Sequence, residues 1–481
     1  MRWSLVSSLL ALAGTTSAQG SLSEHVYRPN IVLVVLDDVG VDKLGVYAEG
    51  PQDGPVPCTP NLDALAASGV LFRNAWTNAI CSPTRAQILT GRHSFRTGIG
   101  SGIPPSGTRL GLRVDLERML PRELLGYESA ALGKWHLMSP ANGDTNHPLQ
   151  AGFGSFAGSL FNLPEAMATD PVCNTAAPLG YSNWIRYEGD RSGALSASCY
   201  SEYATSSTAD DAIAQAHSLQ EPWFLYVSFH AAHFPFEAPP AHLCSPFTAC
   251  AQSYCPPPSA STADQADGMI EVLDSEFGRM LAGIRAAAPD SYVIVIGDNG
   301  TDGSASRASR GECFDPVRSK GTLYEAGINV PLIVAGPDVR PGECLALVNS
   351  TDLYATALDL AGLPSQAEDS VSLVPYLRGN MRPRRSSVYA ELFVPNQPSS
   401  LEGHTALPSR HIRTVRNERY KLIRYTKGST AIEELYDLSS DPCERLDLCQ
   451  GPSECQLPSL SPDARSNYLA LRQELVALGV D

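Results

Sequence analysis

Cys81 lies two residues before Pro83 and four before Arg85, in the string Cys81-Ser82-Pro83-Thr84-Arg85-Ala86-Gln87-Ile88-Leu89-Thr90-Gly91-Arg92. A proline so placed can start a helix, because its fixed backbone angle suits the first turn and its missing N–H is not needed there. The cysteine side chain would then sit at the helix N-terminus, where unpaired N–H groups and the macrodipole favour an anion. Arg85, one turn further on, can fold back toward the same point. By themselves these residues describe an activated thiolate nucleophile or, in a secreted chain, half of a disulfide.

A second group is acidic. Asp37 and Asp38 follow Asn30 to Leu36 (NIVLVVL), a short continuous apolar run that reads as a buried central strand. Asp298 and Asn299, within Gly297-Asp298-Asn299-Gly300, follow Tyr292 to Ile296 (YVIVI) in the same relation. Open α/β sheets bind ligands at the carboxyl ends of their strands. Two strands would thus deliver three carboxylates and one amide oxygen to one edge, an all-oxygen set that suits Ca²⁺ or Mg²⁺ and not zinc. A lone Asp-Asp after a strand is as readily a turn or a cap. Two such pairs with the cysteine string between them point to a site. Lys134 and His136, in Gly133-Lys134-Trp135-His136, follow the strand candidate Glu128 to Leu132 and, two apart on an extended segment, face the same side. His230 and His233 follow the strand candidate Trp223 to Phe229, and Lys320 stands in Ser319-Lys320-Gly321-Thr322.

The elements that must position these residues alternate between strand-like runs and helical patterns, which predicts a largely parallel sheet covered by helices. Thr59-Pro60 opens a helix that Gly69 closes, with Thr59 as the expected cap. Ile270, Leu273, Phe277, Leu281 and Ile284 recur at spacings of three and four, one apolar face of a helix. Pro331 to Ala335 repeats the strand pattern and Asp352 to Leu360 the helix pattern. After about Leu363, Ser387 to Phe393, His411 to Val415 and Tyr420 to Tyr425 read as short strands, and Ser461 to Leu478 as a closing helix. The expected architecture is α/β: a large, mostly parallel sheet flanked by helices (residues 19–365), then a smaller C-terminal antiparallel sheet plus helix (366–481). The Pro- and Cys-rich stretch Pro235 to Pro258 reads as a surface insertion.

Of 481 residues, 43% are hydrophobic and 18% charged, which excludes a disordered or fibrous chain. Thirty-five Lys and Arg against 51 Asp and Glu leave a formal charge of −16, unsuited to nucleic acid but not to a small anionic substrate. Arg2, the apolar run Leu5 to Ala13 and Thr16-Ser17-Ala18 predict a signal peptide over residues 1–18, too short to be a transmembrane segment. The expected destination is the secretory pathway: secreted, periplasmic or lysosomal. Twelve cysteines fit an oxidising compartment, and none forms a CxxC pair. The groups Cys244, Cys250, Cys255 and Cys443, Cys449, Cys455 look like local disulfide material. Modification of Cys81 would leave an odd number, hence one further unpaired cysteine or one paired between chains.

The Cys81 string resembles the signature of the type I sulfatases, Cys-x-Pro-Ser/Thr-Arg followed by Leu-Thr-Gly-Arg, at Cys81, Pro83, Thr84, Arg85, Leu89, Thr90, Gly91 and Arg92. The resemblance implies an alkaline-phosphatase-like fold and hydrolysis of sulfate monoesters, arylsulfatase-like. It implies oxidation of Cys81 to Cα-formylglycine by a formylglycine-generating enzyme during export. It also implies a divalent cation, usually calcium, held by Asp37, Asp38, Asp298 and Asn299 and shared with position 81. On the same ground Lys134 and His136 contact the formylglycine and sulfate, Lys320 binds sulfate, Arg85 joins Lys134, Lys320 and the cation in spreading charge on the sulfuryl oxygens, and His233, in preference to His230, protonates the leaving oxygen. One hydroxyl of the hydrated aldehyde, activated by the cation and a carboxylate (Asp298), attacks sulfur, and the other expels sulfate. Glu434 to Leu438 and Asp441-Pro442 resemble a strand and turn of the family's C-terminal domain. Two further readings share these residues: a phosphonate or phosphate-ester hydrolase of the same superfamily, and a non-catalytic binder of sulfated glycans. Of the sequons at Asn299 and Asn349, the first is expected bare, and the second is a glycan acceptor or part of a helix cap. Substrate choice falls to loops such as Ser155 to Ser201 and Pro235 to Pro258, which carry no recognised pattern.

Overall fold

β1 (Ile31–Leu36) is buried at every position, with Ile31, Leu33 and Val35 in one apolar core and Val32, Val34 and Leu36 in another. A strand buried on both faces must be central and covered by two layers of helices. In the computed structural model, which describes residues 28–480 apart from 49–55, 174–175, 245–254, 308–312, 404–407, 409, 429 and 452, β1 has that place. The expected signal peptide and Cys250 lie outside the described residues.

Chain order continues with β2 (Val70–Trp76), β3 (Glu128–Lys134), β4 (Ser155–Ser159), β5 (Trp184–Asp190), β6 (Ser196–Tyr200), β7 (Trp223–Phe229), β8 (Tyr292–Gly297), β9 (Leu332–Ala335) and β10 (Gly342–Asn349). They form one sheet in the order β10-β2-β9-β8-β1-β7-β3-β4-β5-β6. The centre is parallel: β1 pairs with β7 and β8, and β3 with β7 and β4. β9 runs against both β8 and β2, so β2 points the same way as β8. The carboxyl ends of β1, β2, β3, β7 and β8 therefore share one edge.

The helices Pro60–Ser68, Ala204–Ser218 and Thr262–Ala287 cover one face, and the stripe Ile270, Leu273, Phe277, Leu281 and Ile284 is buried against it. The helices Cys81–Thr90, Asp352–Leu360 and Val374–Leu377 cover the other. A second, antiparallel sheet joins β11 (Val388–Phe393), β12 (Arg410–Arg416), β13 (Tyr420–Lys427) and β14 (Thr430–Asp437) in that order. Helix Pro462–Leu478, capped by Ser461, lays Tyr468, Leu471 and Leu475 on it. Trp76, Ala79, Leu323 and Ile328 from the large sheet's side meet Val388, Ala390, Ile423 and Tyr436 in a core that joins the two sheets.

Some expectations need correction. Thr59 does not cap helix Pro60–Ser68: the Asp274 carboxylate accepts from the amides of Asn61 (3.0 Å) and Leu62 (2.8 Å) instead, while the Thr59 hydroxyl turns to Asp63. The stretch Ser155 to Ser201, read as loop, holds β4, β5 and β6; β6 is solvent-facing and shows no apolar alternation. Cys443 is not locally paired but bonds Cys313, linking the two sheets' segments. Local pairs do form at Cys244–Cys255 and Cys449–Cys455, and Cys173 bonds Cys199. Among the described residues the free cysteines are Cys81 and Cys344, both buried. Asn349 is buried, donating to the Tyr389 carbonyl and accepting from the Thr351 amide, an environment closed to a glycan; the helix that follows has Thr351 at its N-cap and no side-chain cap. No helix among the described residues is long and apolar enough to cross a membrane.

Candidate active site

Cys81 opens its helix at the carboxyl edge, with Ile80 as the extended N-cap residue. The rest of the Cys81 string builds the support. Thr84 takes the Asn78 amide (3.0 Å), and Thr90 donates back to the Ala86 carbonyl (2.7 Å). Gly91 ends the helix at φ +66°, where a Cβ would strike Tyr354 and Ala367, so glycine is required twice over. Arg92 then grips Glu117 through two hydrogen bonds of 2.9 and 2.7 Å.

Arg85 does turn back to the strand ends. It donates to Asp298 Oδ2 (3.1 and 2.8 Å), to the Lys134 carbonyl (2.9 Å) and to the Ser228 hydroxyl (2.5 Å), with no solvent exposure. Its guanidinium lies 3.6 Å from Asp37. The Lys134 ammonium reaches Asp37 Oδ2 and stands 3.6 Å from the Cys81 sulfur. Gly133 makes this approach possible: at φ +81° a Cβ would lie 2.0 Å from the Ser228 carbonyl oxygen. Lys320 donates to Asp38 Oδ2 (2.7 Å), and Asn299 Nδ2 donates to Asp38 Oδ1 (2.8 Å). Thr301 ties the two acidic loops, accepting from the Gly40 amide (3.2 Å) and donating to Asp42 (2.5 Å).

The histidines part company here. One atom each from Asp37, Asp38, Cys81 and His233 lie within 4.8 Å of one another. His233 donates Nδ1–H to the Phe234 carbonyl (2.7 Å), while His230 instead meets the Ser159 hydroxyl (2.6 Å). His136, at φ +56°, donates Nε2–H to the Ile103 carbonyl (3.1 Å), and its buried Nδ1 has no hydrogen-bond partner. The Tyr181 hydroxyl lies 2.7 and 2.9 Å from the carbonyls of His230 and His233. Neither Tyr181 nor Ser228 stood out in the sequence, since neither belongs to a charged pair or motif.

Burial sets the proton inventory. Burial would raise Asp37, but Lys134, His233, Arg85 and Lys320 together hold it well below the usual carboxylate range. Asp38 is raised by burial despite Lys320, and Asp298 is lifted to about 7 by burial and the Asp37 charge, against Arg85. Burial also pushes the Cys81 thiol up to about 12, with Lys134 and Lys320 only partly offsetting it. Burial thus works against a thiolate at position 81.

Two buried oxygens, Asp37 Oδ1 and Asn299 Oδ1, have no hydrogen-bond partner. Orphaned acceptors at full burial are costly. Together with Asp38 they form a hard oxygen set that fits a divalent cation. Asp298 stands beside them, its Oδ2 taken by Arg85 and its Oδ1 accepting from the Asp38 amide (3.2 Å).

Comparison with known proteins agrees with this geometry. The family model described as sulfatase matches residues 29–363, and one described as N-sulphoglucosamine sulphohydrolase, C-terminal, matches residues 315–460. Arylsulfatase A of Homo sapiens is 31% identical over 466 residues, spanning 88% of this chain and 84% of its own length. N-acetylgalactosamine-6-sulfatase of Sus scrofa is 31% identical over 390 residues, spanning 74% of this chain and 67% of its own. The fold is also that of the PsFucS1 sulfatase from Pseudoalteromonas sp., with a TM-score of 0.64 at 22% identity over 93% of this chain and 91% of that one. A model covering well over half the chain and relatives aligned along most of it leave one conclusion: the chain belongs to the type I sulfatase family, enzymes that hydrolyse sulfate esters.

Proposed function

We propose that this sulfatase cleaves sulfate monoesters with Cα-formylglycine, made from Cys81 by a formylglycine-generating enzyme, beside a divalent cation, Ca²⁺ or Mg²⁺. The observation that carries the reading is the placing of an unpaired, buried Cys81 at a helix N-terminus among Lys134, His233 and the Asp37–Asp38 pair. Asp37, Asp38, Asp298 and Asn299 would hold the cation, which supplies positive charge next to position 81. Formylglycine at position 81 would supply, as its hydrate, a nucleophilic hydroxyl toward sulfur and a second hydroxyl whose loss of a proton would restore the carbonyl as the C–O bond to sulfate breaks.

The protein's own residues do the rest. Arg85 fixes Asp298 and the Lys134 segment in one buried network. Lys134 and Lys320 face the sulfuryl oxygens, where preorganised cations stabilise the charge of the transition state; His136, its Nε2–H given to the Ile103 carbonyl, keeps Nδ1 as an acceptor for a hydroxyl at position 81. Asp298 accepts the proton of the attacking hydroxyl. His233 gives a proton to the leaving oxygen. Burial and the Lys134 and Lys320 charges hold this imidazole well below its ordinary pKa. A sulfate anion seated between the two lysines acts in the opposite direction and favours the protonated ring.

The substrate class of the relatives, arylsulfate and N-acetylgalactosamine-6-sulfate by their names, supports a small aryl or carbohydrate sulfate ester. Disulfides among the described residues support folding in the secretory pathway. Parallel rates on an aryl sulfate, the matching phosphate monoester and the phosphodiester test the assignment. The expected order puts the sulfate first. A clear phosphodiester preference would replace it with the phosphonate or phosphate-ester reading, and sulfated-glycan binding without turnover in converted enzyme would replace it with the binder.

A further inference from the structure

The segment from Cys313 to Ile328 carries Lys320 to the site. On the catalytic side it is pinned by backbone: the Lys320 amide donates to the Thr301 carbonyl (3.1 Å), and the Gly321 amide to the Ala79 carbonyl (2.9 Å), two residues before Cys81. On the other side the C-terminal sheet holds it, chiefly through the turn Asp441-Pro442-Cys443-Glu444. Cys443 is bonded to Cys313 at the segment's start. Arg318 donates to the Glu444 carbonyl and lies 4.5 Å over the Tyr324 ring. The Glu444 side chain, 2% exposed, accepts from the Glu325 amide (2.5 Å) and pairs with Lys421 (2.7 Å), which also reaches Glu325 (3.1 Å).

We propose that Glu444 is a positioning residue for Lys320, and that the C-terminal turn sets sulfate affinity through the segment it clamps. The proposal rests on the sulfate-binding role given to Lys320 above. A lysine is a point charge on a flexible four-carbon stem, so its aim depends on where its backbone is held. Misplacing a binding group by about 1 Å can cost roughly 10²-fold in rate. Glu444 fixes both ends of the clamp, through its carbonyl at Arg318 and its carboxylate at Glu325, with Lys320 between them. Removing the carboxylate leaves the Glu325 amide without that acceptor and Lys421 with one carboxylate in place of two. The disulfide, the Arg318 bond to the Glu444 carbonyl and the backbone pins remain, so the segment stays attached while the stretch between Arg318 and Glu325 that carries Lys320 is held less tightly.

A double-mutant cycle on the converted, metal-loaded enzyme tests this. Glu444→Ala is measured alone and beside Lys320→Ala, with kcat/KM on an aryl sulfate, inorganic sulfate affinity by calorimetry, and the melting temperature as readouts. The expected result is a loss of about tenfold in kcat/KM and a matching loss of sulfate affinity in the wild-type background, and less than about twofold for either beside Lys320→Ala. Glu444→Gln keeps an acceptor for the Glu325 amide, so its loss should be about threefold and should vanish in the same way. That variant carries the test if Glu444→Ala does not fold. Equal losses with and without Lys320, or a lower melting temperature with unchanged sulfate affinity, would overturn the proposal and leave Glu444 a structural residue. Unchanged activity and sulfate affinity in Lys320→Ala alone would instead overturn the role of Lys320, and with it the proposal.

Discussion

His233 gives up Nδ1–H to the Phe234 carbonyl, so its other nitrogen is the one free to serve chemistry. A general acid matters in proportion to the need of its leaving group, and such catalysis is commonly worth about 10²–10⁴-fold. His233→Ala should therefore slow an alkyl or sugar sulfate about 10²-fold or more, and a nitrophenyl sulfate less than about tenfold, because nitrophenolate departs without a proton. Steady-state kcat across esters of graded leaving-group pKa checks this; an equal loss on every ester would remove His233 from that role. The sequence brought His230 and His233 forward together, and only the resemblance chose between them. Spacing alone could not separate them, because their surroundings come from distant residues: Ser159 meets the His230 ring, and Tyr181 holds the carbonyls of both. Asp37, Asp38, Asp298 and Asn299 were easier to read, since each pair directly follows an apolar run that could only be a central strand.

At the scale of elements, β1, β7, β8 and the helices Asp352–Leu360 and Pro462–Leu478 fall within a residue or so of where their patterns put them. Continuous apolar runs and a 3.6-residue stripe are strong signals. The edge strand β6 is exposed, and no apolar alternation marks it. The helix Pro60–Ser68 shows another limit: its start was legible, but its cap comes from Asp274 on a helix far along the chain. Asp274→Ala should cost about 1–2 kcal/mol, the usual worth of a lost N-terminal cap. Denaturant unfolding measures it, and kcat per folded molecule should not change, because neither helix carries a site residue. A stability equal to wild type would show that the Asp274 carboxylate does not cap the helix.

For the molecule as a whole, the large sheet and the smaller antiparallel one were foreseeable, while the Cys313–Cys443 link between their segments was not, since disulfide pairing is a property of the fold and not of spacing. Stability should depend on pH through buried histidines. His147 accepts from the Trp135 indole N–H at Nδ1 (2.9 Å) and donates from Nε2 to the Leu112 carbonyl (2.9 Å), so only the neutral ring satisfies both partners. Burial pushes it down to about 4. A histidine depressed in the folded state contributes stability that is whole above its unfolded pKa, about 6.5, and is lost as pH falls toward 4. The effect is on the order of 3 kcal/mol across that window. His147→Gln should be less stable at pH 7.5 and show a shallower decline from pH 6.5 to 4 than wild type, read from denaturant midpoints at each pH. Parallel declines would show that His147 is not buried neutral. Trp135 lies between Lys134 and His136, so this titration reaches the site's own frame.

The nucleophile is tested most directly by peptide mass spectrometry across residue 81, on enzyme from a host able to install formylglycine, with turnover measured on the same preparation. The expected result is an aldehyde at position 81 in a fraction that rises and falls with specific activity. Full activity in material whose Cys81 is entirely unmodified thiol would contradict the formylglycine mechanism.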